Sequence, residues 1–186
     1  MSLKGQVCII TGGGSGIGRD AALLMASDGA TIVLVGRTEA KIEAVKAEIE
    51  SDGGSATTYA LSVADYTAVC QMVDEVTQTY GKIDILVNNV GGSGTIDTDH
   101  IEEVTDDLWN TIIDVNMKSM FLSCRAVVPY MKSQHYGKIV NISSVAAKGS
   151  FGPRGTSAAR LPYAGAKAGV VGFTIQLAKD LGPFGI

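Results

Sequence analysis

Residues 7–18 read V-C-I-I-T-G-G-G-S-G-I-G: an apolar run, Val7-Cys8-Ile9-Ile10, leads straight into Thr11 to Gly18. Five of the seven residues from Gly12 to Gly18 are glycine. A short buried strand followed by a turn without side chains lets backbone N–H groups approach a pyrophosphate, with the N-terminus of the next helix facing the negative charge. The glycines that carry this reading are Gly12, Gly16 and Gly18, in the order T-G-x-x-x-G-x-G rather than G-x-G-x-x-G. A tight strand-to-helix turn would also use glycine, but one or two would be enough, and the excess favours a phosphate cradle.

Outward from this stretch the chain alternates strand and helix. Ile17 to Ser27 has helical spacing, with Ile17, Ala21, Leu24 and Met25 on one face and Gly29 as its stop. Thr31 to Val35 is β-branched and apolar, as a buried parallel strand requires, and this completes a βαβ unit. Gly36-Arg37-Thr38 follows. A site for NAD has a carboxylate near here for the ribose 2′-hydroxyl, whereas a basic residue accommodates the 2′-phosphate of NADP. Arg37 is therefore either a 2′-phosphate ligand or a solvated first-turn residue. Thr38 to Ser51 is amphipathic through Ile42, Val45 and Ile49, Ala56 to Leu61 is a third strand, and Asp65 can cap a helix from Tyr66 to Tyr80 or touch an adenine.

Ile83 to Val87, a fourth strand, runs into Asn88-Asn89-Val90-Gly91-Gly92. Adjacent amides at a buried strand end must be bonded, so they tie strand ends together or line a ligand crevice. Residues 93–104 read as a polar loop. Thr105 to Ser133 reads as one long helical segment, in which Asn116 either faces solvent or marks a kink; its neighbours Val115, Met117 and Phe121 favour the kink. Lys138 to Ser144 is a fifth strand ending in two hydroxyls, and residues 145–162 form a loop. Tyr163 to Leu181 is the last helix and carries Tyr163 and Lys167 one turn apart on one face.

Composition bounds the function. The 186 residues are 46% hydrophobic and 18% charged, which suits one α/β domain with a sizeable core. A net charge of −4 with scattered Lys and Arg argues against nucleic-acid and anionic-membrane partners. Cys8, Cys70 and Cys124 lack disulfide or zinc spacing, so the expectation is small core residues, no metal site, and a reducing, cytoplasmic setting. No secretory leader or membrane-spanning run is read from the sequence.

In a doubly wound sheet the ligand lies outside the carboxyl ends of the strands. Those ends are Thr11–Gly18, Gly36-Arg37, Ser62-Val63, Asn88–Gly91 and Ser143-Ser144, all of them polar or glycine-rich. Near them, Tyr163 and Lys167 are the one pair suited to proton chemistry. A phenol is a weak acid at neutral pH, and a cation one helical turn away favours its phenolate. Taken alone, the pair reads more readily as a packed Tyr163 with Lys167 reaching to solvent.

The motifs together resemble the short-chain dehydrogenase/reductase family over nearly the whole chain. T-G-G-G-S-G-I-G at 11–18 matches its glycine motif, N-N-V-G at 88–91 its N-N-A-G with Val90 for Ala, and Y-A-G-A-K at 163–167 its Y-x-x-x-K. I-V-N-I-S-S at 139–144 resembles the strand that carries the family serine, which falls on Ser144, and Asn116 matches the helix asparagine. The resemblance implies a Rossmann-type sheet in order 3-2-1-4-5 and a catalytic tetrad. Tyr163 would be the general acid/base, Lys167 would assist it and bond the nicotinamide ribose, Ser144 would orient the substrate carbonyl, and Asn116 would hold a relay water. It also implies cofactor contacts from Gly12, Gly14, Ser15, Gly16, Ile17, Gly18, Arg37, Val63, Asn89, Gly91, Tyr163 and Lys167. The cofactor expected is NADP, with NAD as the alternative. The activity implied is hydride transfer between that cofactor and a secondary alcohol or ketone, a 3-oxoacyl-type carbonyl being one option, in a homodimer or homotetramer. The rival reading is a nucleotide-binding protein of the same fold without catalysis. Two departures stand out. The Ser144-to-Tyr163 gap is long, making residues 146–162 an enlarged loop whose Lys148, Arg154 and Arg160 either meet an anionic substrate or are solvated. The family also continues past Ile186 with further strands and a substrate lid, so the chain is expected to be incomplete at its C-terminus.

Overall fold

A computed structural model describes residues 2–94, 101–149 and 160–186. Five parallel strands form the centre: β1 (Val7–Thr11), β2 (Thr31–Gly36), β3 (Ser55–Ala60), β4 (Ile85–Asn88) and β5 (Lys138–Asn141), in the order β3-β2-β1-β4-β5. This is the expected Rossmann-type order. Between the strands run helices α1 (Gly16–Ser27), α2 (Glu39–Ser51), α3 (Tyr66–Tyr80), α4 (Asp106–Ile113) and α5 (Ser119–Gln134), and α6 (Arg160–Leu181) follows β5.

Period-two alternation assigns the strand residues to two cores. Val7 and Ile9 of β1, with Val33 and Val35 of β2, face α3, α5 and α6 through Val73, Met131, Val127 and Val170. Cys8, Ile10, Ile32 and Leu34 point the other way onto Ala22, Ile42, Val45 and Ile49 of α1 and α2. Because both faces are covered, the strands read as unbroken apolar runs rather than alternating ones. Leaving the sheet at the switch between β1 and β4, the chain opens the crevice where a doubly wound fold binds its ligand.

Helix ends follow their sequence signals. Asp65 accepts from the Ala68 N–H at 3.1 Å and so caps α3; Gly29 ends α1 at φ +94°, with the Ala30 N–H closing back onto Met25 O.

Two expectations are corrected. The buried face of α1 is Gly18, Ala22 and Ala26, while Ile17 and Leu24 are 66% and 69% exposed. The helix lies so close to the glycine loop that only small residues fit beneath it, and the larger ones turn outward. The long helical segment expected from Thr105 to Ser133 runs without a break from Asp106 to Gln134, with a π-helical turn over Asp114–Lys118 between α4 and α5 and the Thr105 hydroxyl capping α4 at the Leu108 N–H. Asn116 lies in that π-turn and is 1% exposed, so the kink reading holds and the solvent-facing one does not. Strand β5 stops at Asn141, three residues short of the expected Ser144, and the chain leaves the sheet with Ile142 N–H on Asn88 O.

Candidate active site

The glycine loop is folded over the end of β2, with Gly12 and Gly13 N–H both directed to Val35 O. Gly16 has φ +52°, a conformation that a side chain makes costly. Gly18 is needed for a different reason. A Cβ there would lie 2.3 Å from Gly12 O and 2.5 Å from Asn89 Nδ2, so glycine alone lets α1 begin at this depth. Asn89 ties the loop to β4 by donating from Nδ2 to Gly12 O, and Thr11 Oγ1 accepts from the Asn89 and Val90 N–H groups. Ser15, at the N-cap of α1, is extended and makes no capping bond, and the first turn carries no acidic residue. The first N–H groups of α1 thus lack the side-chain acceptor that α3 and α4 each have.

Across the crevice, residues from β4, the π-turn and α6 come together. Asn116 donates from Nδ2 to Gly92 O at 2.7 Å and to Ile112 O at 2.9 Å, and its Oδ1 accepts from the Gly92 N–H at 3.0 Å. A Cβ on Gly91 would sit 2.7 Å from Asn116 Oδ1 and 3.0 Å from Lys167 Nζ. Glycine at 91 therefore allows the loop to pass between these two polar groups. Lys167 is 4% exposed, and its ammonium donates to Ile142 O at 2.8 Å. Burial pushes its pKa down, and among the described residues no carboxylate pairs with it. Tyr163, one turn earlier on α6, packs on Leu108 and Ile112 of α4, with Lys167 Nζ 5.8 Å from its ring centroid.

The two serines after β5 diverge. Ser143 Oγ donates to Lys167 O at 2.9 Å, whereas Ser144 Oγ accepts from the Ala146 N–H at the start of a 3-10 turn, Val145–Lys148, and among the described residues its own hydrogen meets no acceptor. Behind them Asn88 Nδ2 donates to Asn141 Oδ1, and Asn141 Nδ2 to Thr174 Oγ1, which links β4, β5 and α6. The adjacent asparagines therefore divide the two expected tasks: Asn88 ties strands together, and Asn89 faces the crevice.

A cleft of about 600 Å³ joins these parts. Gly12, Gly14, Ser15, Ile17, Arg37, Val63, Asn89, Gly91, Ser144, Tyr163 and Lys167 line it, all of them expected from sequence. Gly16, Gly18 and Asn116 support it without lining it. Ser62 and Ser143, expected only as strand ends facing the ligand, also line it, and so do Thr38, Lys41 and Ser119, which were not anticipated as site residues. Lys41 was within reach of sequence reasoning, since it sits in the first turn of α2, which begins just after the carboxyl end of β2 and Arg37. Its lining cations are Arg37, Lys41 and Lys167, with no carboxylate among the described lining residues. Lys148 is exposed, Arg154 lies outside the described residues, and Arg160 opens α6.

Such a sheet, with a glycine turn at its switch point and a Tyr–Lys pair across the cleft, defines a dinucleotide-binding protein of the doubly wound α/β class. A family model described as short chain dehydrogenase matches residues 6–186. The chain belongs to the short-chain dehydrogenase/reductase family, oxidoreductases that act on hydroxyl and keto groups with a nicotinamide dinucleotide. It is 40% identical over 182 residues to the 3-oxoacyl-[acyl-carrier-protein] reductase FabG of Thermotoga maritima, covering 97% of this chain and 70% of that protein. Among solved structures, a metagenomic short-chain oxidoreductase in complex with NADP superposes with a TM-score of 0.86 at 33% identity, over 99% of this chain and 80% of that one. A 7α-hydroxysteroid dehydrogenase complexed with NADH superposes with a TM-score of 0.88 at 30% identity, over 100% and 69%. Among the described residues no helix is long and apolar enough to cross a membrane, and no cluster of His, Cys, Asp or Glu is arranged to hold a metal.

Proposed function

We propose that this chain is a single dinucleotide-binding and catalytic domain that interconverts a secondary alcohol and a ketone with NADP as preferred cofactor. The observation that carries the reading is the shared cleft: the glycine cradle and the Ser144, Tyr163 and Lys167 side chains line one continuous space. The residues present fit a dinucleotide. Gly18 clears the way for α1 to approach, the α1 N-terminus has no side-chain acceptor, and both features favour a pyrophosphate. Arg37 and Lys41 at the end of β2, with no carboxylate beside them in the cleft, favour a 2′-phosphate over a free 2′-hydroxyl. When bound, the nicotinamide supplies or accepts the hydride.

The protein's own groups do the remainder. Ser144, whose hydrogen meets no acceptor among the described residues, donates to the carbonyl oxygen and holds it. Tyr163 passes a proton to that oxygen as an alcohol forms, or removes it in the reverse direction. Lys167 places a buried positive charge beside the phenol, where it stabilises negative charge on the tyrosine oxygen. Asn116 keeps the Gly91–Gly92 turn against Lys167, and the relay water is the role that the family resemblance adds to it. Likeness to the Thermotoga reductase supports a 3-oxoacyl-type substrate, and the outward Phe121, Val171 and Ile175 of α5 and α6 suit a homodimer or homotetramer.

The test is turnover of NADPH with a panel of ketones and 3-oxoacyl thioesters, beside the Tyr163→Phe variant. The expected result is turnover in the parent protein and none in the variant, with NADPH binding retained in both. Equal turnover in the variant removes Tyr163 from the mechanism. Cofactor binding without turnover across the panel supports the non-catalytic alternative instead.

A further inference from the structure

Two consecutive residues at the end of β5 grip Lys167 at both of its ends. The Ile142 carbonyl accepts from its ammonium at 2.8 Å, and the Ser143 hydroxyl donates to its main-chain carbonyl at 2.9 Å. These bonds close a small ring in which the lysine side chain spans two adjacent positions of a single strand tail. The carbonyl that Ser143 reaches already lies within the hydrogen-bonded ladder of α6, so its second lone pair is what the serine uses. Ser143 donates its one hydroxyl proton there. It is therefore spoken for, although it lines the cleft beside Ser144, whose hydrogen meets no acceptor among the described residues.

The geometry points to Ser143 as a positioning residue for Lys167. It fixes the spacing between α6 and the Ile142 carbonyl, and thereby keeps the lysine ammonium on the Tyr163 side of the cleft. The α6 ladder holds the root of Lys167 and the Ile142 carbonyl its tip, and the Ser143 bond sets how far apart that helix and that carbonyl lie, which decides where a side chain with four rotatable bonds places its ammonium. This rests on the reading of Tyr163 and Lys167 as proton machinery.

The experiment compares Ser143→Ala, Ser143→Cys and Ser143→Thr for kcat, ketone KM, NADPH Kd and thermal midpoint. Ser143→Ala is made in addition on the Lys167→Ala background. Loss of one positioning hydrogen bond is expected to lower kcat about five- to tenfold in the Ala and Cys variants, with KM and Kd within about twofold. Cysteine fills the same space but is a weak donor, so it separates shape from hydrogen bonding. Threonine keeps the hydroxyl and restores kcat. On the Lys167→Ala background Ser143→Ala adds nothing further, because a residue that acts through lysine has nothing left to position. Unchanged kcat in the Ala and Cys variants overturns the proposal. So does a loss that threonine fails to restore, or one that persists in full without Lys167, since either marks a merely structural serine. Tyr163→Phe runs alongside: if it stays active, the proton machinery and this proposal fall together; if it is inactive while Ser143→Ala is normal, only the role of Ser143 falls.

Discussion

Asn116 and Gly92 exchange a reciprocal pair of hydrogen bonds, the amide nitrogen to Gly92 O at 2.7 Å and the Gly92 N–H to Oδ1 at 3.0 Å. The side-chain amide thus pairs with a peptide group as a neighbouring strand would. Replacing Asn116 with Ala removes this partner from Gly92 N–H and Gly92 O, which lie in an exposed turn, and from Ile112 O, which is buried. The expected loss is about 2–3 kcal/mol of unfolding free energy by urea titration, together with reduced turnover. Unaltered stability would show that the loop repacks without the amide.

Gly18→Ala puts a methyl group 2.3 Å from a backbone oxygen, and backbone cannot move aside as a side-chain tip can. Helix α1 must retreat from the loop. NADPH affinity is expected to fall at least about tenfold, with a stability loss of about 1–3 kcal/mol. Fluorescence titration of NADPH and thermal unfolding measure the two effects on one sample.

Arg37→Ala and Lys41→Ala each remove a cation from the β2 end of the cleft. Each is expected to weaken NADPH about tenfold or more while leaving NADH within about twofold, because only the former carries the extra phosphate. Equal weakening of both cofactors would place these cations on the shared part of the dinucleotide.

Lys167 gives stability a pH dependence of definite sign. Burial lowers the pKa of its ammonium in the folded chain below the ordinary 10.5, so between those two values the unfolded chain binds more protons. Stability contributed by this group therefore rises with pH across that alkaline window and is flat below it. The stability of the parent protein minus that of Lys167→Met is expected to increase as pH approaches 10.5. A difference that falls over this range would mean the lysine is held by a charge partner instead.

Burial pushes the thiols of Cys8 and Cys124 up to about 12, which leaves them neutral and sealed in the two cores, while Cys70 on α3 is partly exposed. At pH 8 a thiol reagent is expected to modify Cys70 alone in the folded protein and all three cysteines after denaturation.

Much of this was legible in the chain because parallel strands covered on both sides must be apolar throughout, and Val7–Ile10, Thr31–Val35 and Ile83–Val87 stand out for that reason. Gly29, at φ +94°, and Asp65 likewise gave correct helix boundaries through local chemistry alone. The outward turn of Ile17 and Leu24 was not legible, since it depends on how near α1 comes to Gly12, a distance that periodicity does not contain. Nor was the π-turn, because its cause is the bond between Asn116 and a glycine 24 positions earlier. Ser144 and Ser143 looked alike as residues and differ only in which neighbour each can reach.

A π-turn holds one residue more than an α-turn of the same height, so α4 and α5 are two helices set out of phase. One residue corresponds to ~100° of rotation about the axis. The offset is what lets α4 present its apolar side to α6 while α5 presents its own to α3 and the sheet. Deleting any single residue from 114–118 would leave a smoother helix with every residue of acceptable propensity, yet it would swing Met120, Cys124, Val127 and Met131 out of the core. The segment therefore tolerates substitution far better than change of length, and its irregularity acts as a counting device that keeps the two faces of one continuous helical rod in register with two different layers.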